Sequence, residues 1–102
     1  MRDRAFRDWL SDSGKTVRVV SDYASRCNRV EQELRLDLDA EYQKDHGIEL
    51  LRILTYTKDD AAGKVPPQIS FRNGADIYNG MASIKSSVNS YFSFLKNDYG
   101  VE

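Results

Sequence analysis

The sequence is short of the residues on which most catalytic and metal sites depend. Its 102 residues include one cysteine and one histidine. A lone cysteine excludes an internal disulfide and is typical of a reducing compartment, so a cytoplasmic location is predicted. One cysteine and one histidine also cannot supply the usual nitrogen and sulfur ligands of a zinc site. We therefore expect neither a metal nor any other cofactor.

Long apolar runs are also missing. Residues 1–6 hold no apolar stretch long enough for a signal peptide, and no run approaches the roughly 20 apolar residues of a membrane span. Neither secretion nor membrane insertion is expected. The hydrophobic fraction is nevertheless 40%, which allows one contiguous core at this length. The sequence thus predicts a single domain over residues 1–102.

Neither sign of charge is in large excess. Fifteen basic and sixteen acidic residues give a formal net charge of -1, so no overall field attracts the protein to nucleic acid or anionic membranes. The acidic residues are concentrated over residues 36–62. Any basic binding surface must therefore be local.

Apolar residues recur at helical spacing along most of the chain. The pattern predicts helices over 5–10, over 17–34 with Thr16 as N-cap, and over 36–45, 48–56 and 81–97. Between residues 59 and 80 the periodicity is lost and glycine and proline turns dominate, so a long mobile loop is predicted, with one extended candidate at 65–71 and with Gly80 at the helix entry. The fold class expected is all-α, an irregular four- to five-helix bundle.

The apolar positions also predict a core. Its expected members are Trp9, Val20, Tyr23, Ile53, Leu54, Val88, Phe92 and Leu95.

Catalytic arrangements are difficult to find in this sequence. Cys27 lies on the predicted apolar face of its helix, far along the chain from His46, so a nucleophilic pair is not expected. The acidic run over 37–45 has alternate carboxylates, as calcium loops do, but it lacks their mid-loop glycine. A solvated helix face explains it better. The chain is therefore predicted to be non-catalytic, and no small-molecule substrate is evident.

Two predicted helices have polar faces with side chains of the types that contact DNA. Arginine, lysine, hydroxyl and amide groups, together with helix N-termini, bind the phosphate backbone and position a protein on a duplex. The predicted DNA-binding residues are Lys15, Thr16, Arg18, Ser25, Arg26 and Arg29 on the second helix, and Lys85, Ser86 and Asn89 on the last. A solvated helix surface is the alternative explanation for these residues.

Several short segments resemble a known family. They are FRDWL at 6–10, KT at 15–16, VSDY at 20–23 with Arg26, and YFSFL at 91–95. Together they resemble the N-terminal core-binding domain of tyrosine recombinases, the phage integrases. The resemblance implies a SAM-like bundle in which the helix opening at Thr16 and the polar face of the last helix approach DNA. The family's catalytic residues belong to a separate C-terminal domain, and nothing in this chain corresponds to them.

A second resemblance involves the middle of the chain. LL at 50–51, LTY at 54–56, DD at 59–60 and IYNG at 77–80, followed by Ser83 and Val88, are similar to helical domains that precede nuclease or ATPase modules in restriction and phage-defence proteins. The partners implied are double-stranded DNA and a separate catalytic domain or partner protein.

Two functions follow from these observations. The first is a non-catalytic module that positions duplex DNA for a separate catalytic domain. The alternative is a protein-interaction adaptor or inhibitor of a phage or defence system. Its contact surface would combine the acidic middle of the chain with the aromatic residues Tyr91, Phe92, Phe94 and Tyr99.

Overall fold

The computed structural model of the chain describes residues 1–98 and contains only helices as regular structure within them. The helices are α1 (Asp3–Asp12), α2 (Val17–Leu34), α3 (Leu38–Asp45), α4 (Ile48–Ile53), α5 (Lys58–Ala62) and α6 (Ile77–Asp98). The predicted all-α class is confirmed, with six helices in the described chain instead of four or five. Helix α6 is the longest, and α2 and α1 pack against it.

Helix α2 begins where the sequence indicated. The Thr16 side chain accepts a hydrogen bond from the backbone N–H of Val19 at 3.2 Å, and this satisfies one of the free donors of the first turn. The helix ends at Arg35, whose φ of 53° places it in the left-handed region. The buried side of α2 contains Val20, Ala24 and Cys27, as its spacing predicted, so its polar face is turned to solvent.

The prediction of a loop over 59–80 is wrong at both ends. Helix α5 forms at its start, where Thr57 and Asp60 make a reciprocal capping box. Helix α6 begins at Ile77, so Gly80 lies inside the helix and not at its entry. A Cβ at Gly80 would lie 2.5 Å from Cε1 of Phe71. The glycine therefore makes room for the Phe71 ring, and the turn chemistry of the sequence gave no indication of this close packing.

The middle of the remaining loop, residues 63–76, contacts α2. Ile69 is fully buried, and the guanidinium of Arg29 lies 4.8 Å from the centroid of the Phe71 ring. The backbone N–H of Ser70 donates to Oε1 of Glu33 at 2.7 Å. The extended segment expected at 65–71 forms no strand, because its apolar residues pack on helices instead of pairing with another strand.

The core is more aromatic than expected. Val20, Leu54, Val88, Phe92 and Leu95 are buried as predicted, whereas Trp9, Tyr23 and Ile53 are half-buried. The centre is formed by Phe6, Tyr91 and Phe94, with ring centroids 5.0 Å apart for Phe6 and Tyr91 and 5.5 Å apart for Phe6 and Phe94. Trp9 lies at the edge of this cluster, so part of its large ring remains in solvent.

Tyr91 joins three parts of the chain through its hydroxyl. It accepts the backbone N–H of Arg2 at 2.7 Å and donates to a carboxylate oxygen of Asp39. Burial raises the pKa of the Tyr91 phenol well above its ordinary range, and the hydrogen bond to Asp39 acts in the same direction. The phenol is therefore a stable donor at neutral pH.

Within residues 1–98, none of the helices has both the length and the apolar character needed to cross a membrane.

Candidate nucleic-acid interface

Helices α2 and α6 border a shallow groove of about 450 Å³, referred to below as the α2–α6 groove. Its lining residues are Tyr23 and Arg26 from α2, and Asn79, Ala82, Ser83 and Ser86 from α6. Residues three or four apart share one side of a helix, so each helix presents a continuous edge to the groove. The structure thus brings together Arg26 and Ser86, two of the predicted DNA-binding residues that are distant in sequence.

Three of the five cations predicted to contact DNA are uncommitted. Lys15 and Arg18 are exposed at the start of α2, and Arg26 is half-buried at the groove. Within the described chain none of the three forms an ion pair or a side-chain hydrogen bond. Ser25 is exposed on α2 as well. These donors are therefore available to an anionic ligand.

Two other predicted residues of α2 already have partners. Thr16 Oγ1 accepts the Val19 N–H as the helix cap, which leaves only its hydroxyl hydrogen to donate. Arg29 Nε donates to Oε2 of Glu33 at 2.7 Å. The Ser70 N–H and the Arg29 guanidinium lower the pKa of the Glu33 carboxyl, so Glu33 stays ionised and neutralises Arg29. Arg29 is therefore already paired within its own helix, and its contact with DNA stays a prediction.

The predicted residues of α6 do not form one patch. Lys85 is half-buried, and its Nζ donates to Oγ1 of Thr55 at 2.7 Å, which directs it towards the end of α4. Asn89 is exposed but lines a different groove, together with Tyr42 and His46 of the α3 segment. Their spacing of three and four residues places Lys85, Ser86 and Asn89 on one broad side of α6, but they border different grooves and neighbours. Only Ser86 joins the α2–α6 groove.

The sequence interpretation missed three residues of the groove that carry polar groups, Tyr23, Asn79 and Ser83. Tyr23 and Ser83 lie one helical turn before Arg26 and Ser86, so helical spacing could have identified them. Asn79 was assigned to the loop because the start of α6 was predicted too late. Its Nδ2 donates to Asp76 at 2.6 Å, and this contact fixes the amide at the entry of the helix.

The acidic segment over 37–45 has structural roles. Asp37 caps α3 by accepting the Asp39 N–H, and Asp45 accepts the N–H groups of Gly47 and Glu49. In the described part of the chain, no three His, Cys, Asp or Glu residues are grouped so that they could hold a metal ion.

The aromatic contact surface of the alternative function is not present as expected. Tyr91, Phe92 and Phe94 are buried in the core, so they are not available to a partner. Tyr99 lies outside the described residues. The reason is the helical periodicity of α6, which turns residues 91, 92 and 94 with Leu95 towards α1 and α3.

Cys27 is buried between α2 and α6. Its thiol lies 3.4 Å from the carbonyl oxygen of Ser87, to which it donates. Burial raises the pKa of the Cys27 thiol to about 12, and the Glu31 carboxylate adds to this effect.

We expect native Cys27 to be nearly inert towards a thiol reagent such as DTNB at pH 8. Because the thiolate is the nucleophile, a rise in pKa from about 8.5 to about 12 lowers the reactive fraction roughly a thousandfold. The rate of colour formation should be very slow in buffer and ordinary in denaturant. Rapid reaction in buffer would contradict the buried position of the thiol.

Comparison with known proteins gave no match: no family model, no curated protein and no solved structure is similar enough to this chain to be reported.

Proposed function

We propose that this chain is a non-catalytic module that binds duplex DNA through the α2–α6 groove and the start of α2. The observation that supports it most directly is Arg26, an uncommitted guanidinium at a groove that also holds the hydroxyl of Ser86 and the amide of Asn79. Guanidinium, hydroxyl and amide donors are the groups that proteins use on phosphate oxygens.

The three uncommitted cations suit contact with a phosphate backbone. Lys15 precedes α2, and Arg18 and Arg26 lie on it; at helical rise the three residues span about three turns, or roughly 16 Å. Three cations give a small contact, and Asp22 lies one helical turn from both arginines and weakens the local positive potential. Binding should accordingly be weak and strongly dependent on salt.

The resemblance to the core-binding domain of tyrosine recombinases agrees with this assignment. In that family the helix opening at the position of Thr16 approaches DNA, and the chemistry belongs to a separate domain. Under this proposal the chain would likewise position a duplex for a catalytic domain, and it would have no catalytic role of its own.

Substituting Arg18 and Arg26 together by glutamine should weaken binding to a labelled duplex and flatten its salt dependence. Each neutralised phosphate contributes roughly 0.9 to the slope of log affinity against log salt, so the slope should fall by up to about 2. The measurement is fluorescence anisotropy at several NaCl concentrations. Thermal stability should change little, because neither arginine forms an ion pair or a side-chain hydrogen bond within the described chain.

The matched control is Lys44→Gln with Arg52→Gln, which removes the same charge from side chains that are ion-paired on α3 and α4. Its slope should stay close to that of the parent. An equal loss in both double variants would show that net charge, and not this face, governs binding. A parent that fails to bind even at low salt would overturn the proposal and favour the adaptor.

A further inference from the structure

A second groove, the α3–α6 groove, lies on another side of α6 and has a volume of about 270 Å³. It is lined by Tyr42 and His46 at α3 and by Asn89, Phe92, Ser93 and Lys96 of α6. The α6 residues follow the spacing of one helix face, with steps of three, one and three residues. Apart from Asn89, these residues were not among the predicted DNA contacts.

The polar groups of this groove are uncommitted. Within the described chain, no hydrogen bond or ion pair involves the His46 ring nitrogens, the Asn89 amide, the Ser93 hydroxyl or the Lys96 ammonium. Every fully buried side-chain nitrogen or oxygen in residues 1–97 has a partner. Tyr42 is buried but its hydroxyl makes no hydrogen bond, so that oxygen must reach solvent.

All five groups can donate hydrogen bonds, and the described lining contains no carboxylate. Two described acids close in sequence to His46 already have partners of their own. Asp45 accepts two backbone N–H groups, and Glu41 pairs with Lys44 at 3.4 Å. A groove with several donors, a cation and no acid favours an anion and disfavours a cation or an apolar ligand.

The backbone holds this arrangement in place. His46 has a φ of 61°, an uncommon conformation for a residue other than glycine, and its N–H donates to the carbonyl oxygen of Tyr42 at 2.7 Å. The next residue, Gly47, lies directly against the Phe92 ring, where a Cβ would overlap three ring carbons. The backbone at His46 and Gly47 is therefore packed against α6 before any ligand binds.

The geometry points to a phosphate-binding site in the α3–α6 groove, held by Lys96, His46, Asn89 and Ser93. A phosphate group is small enough for the groove and offers acceptor oxygens to all of these donors. The same chemistry occurs in a free phosphomonoester and in the phosphodiester of a nucleic acid backbone. This inference does not depend on the α2–α6 groove, because it rests on different residues.

The test follows His46, whose ring is the only imidazole in the chain and gives an isolated Hε1 resonance. The full chain is titrated with inorganic phosphate and, separately, with dimethyl phosphate in a phosphate-free buffer at constant pH, with NaCl at matched ionic strength as the reference. We expect a saturable shift with at least one phosphate compound, and the tighter of the two identifies the monoester or the diester as the source. Shifts no larger than those caused by NaCl would overturn the proposal.

Lys96→Gln should weaken the phosphate response about tenfold, since a hydrogen bond to a charged group is worth roughly 1.5 kcal/mol or more. Lys44→Gln removes the same charge from α3 but outside the groove, so it should retain the response of the parent. Equal weakening in both variants would show diffuse charge attraction and would overturn the site. Failure here would leave the DNA titration of the Arg18 and Arg26 variant unaffected.

Discussion

Gly47→Ala is expected to destabilise the fold by about 2 to 5 kcal/mol. Two costs add up at this position. Gly47 has a φ of 78°, where an L-residue with a Cβ loses roughly 1 to 2 kcal/mol, and the new methyl group would collide with the Phe92 ring in the core. Overpacking of this kind costs typically 1 to 3 kcal/mol.

Thermal unfolding followed by circular dichroism measures this effect, with a loss in Tm of roughly 10 °C or more for a domain of this size. The matched control is Gly14→Ala. Gly14 has a comparable φ of 90°, but a Cβ there would meet nothing within 4 Å, so only the backbone cost remains. If both variants lost the same stability, the close packing of Phe92 on Gly47 would be refuted.

Leu54→Ala is expected to cost about 2 to 5 kcal/mol as a cavity mutation. Leu54 directly follows α4 and is fully buried in the core, so the removed carbons leave a space that neighbouring side chains cannot fully occupy. Equilibrium unfolding in urea measures the loss as a lower midpoint with an unchanged slope.

Ile48→Ala provides the comparison at the opposite end of α4. Ile48 is the first residue of this helix and is also a large aliphatic residue, but it is 68% exposed, so its truncation should cost well under about 1 kcal/mol. Equal midpoints for the two variants would mean that α4 packs with a different face.

Local signals predicted those parts of the fold that local chemistry decides. Thr16 and the apolar spacing behind it located α2, because capping and amphipathicity act within one helix. Helix α5 was missed although Thr57 and Asp60 form its capping box, because five residues are too few to show periodicity. The start of α6 was missed because Gly80 was interpreted as a turn residue. Its role is to leave room for the Phe71 ring of the preceding loop, and turn propensities carry no information on such a packing contact.

For the candidate site, the position of each side chain on its helix was predictable from the sequence. Arg18, Ser25 and Arg26 lie on the solvent side of α2, as periodicity alone requires. Which of these basic side chains already bond to another part of the chain was not predictable. Arg29 is held by Glu33 within its own helix, but its second contact is Phe71, and Lys85 bonds Thr55 on another helix. Contacts between distant segments decide which cations remain available.

The hydroxyl of Tyr91 has a consequence for the order of events during synthesis. Its partners Arg2 and Asp39 precede it by 89 and 52 residues, and α6 also supplies the aromatic rings that cover α1. Ribosomes add roughly 5 to 20 residues per second, so the first helices wait several seconds without their packing partner. Short isolated helices are marginal in water. We therefore expect the native packing of α1 to form only after α6 has left the exit tunnel.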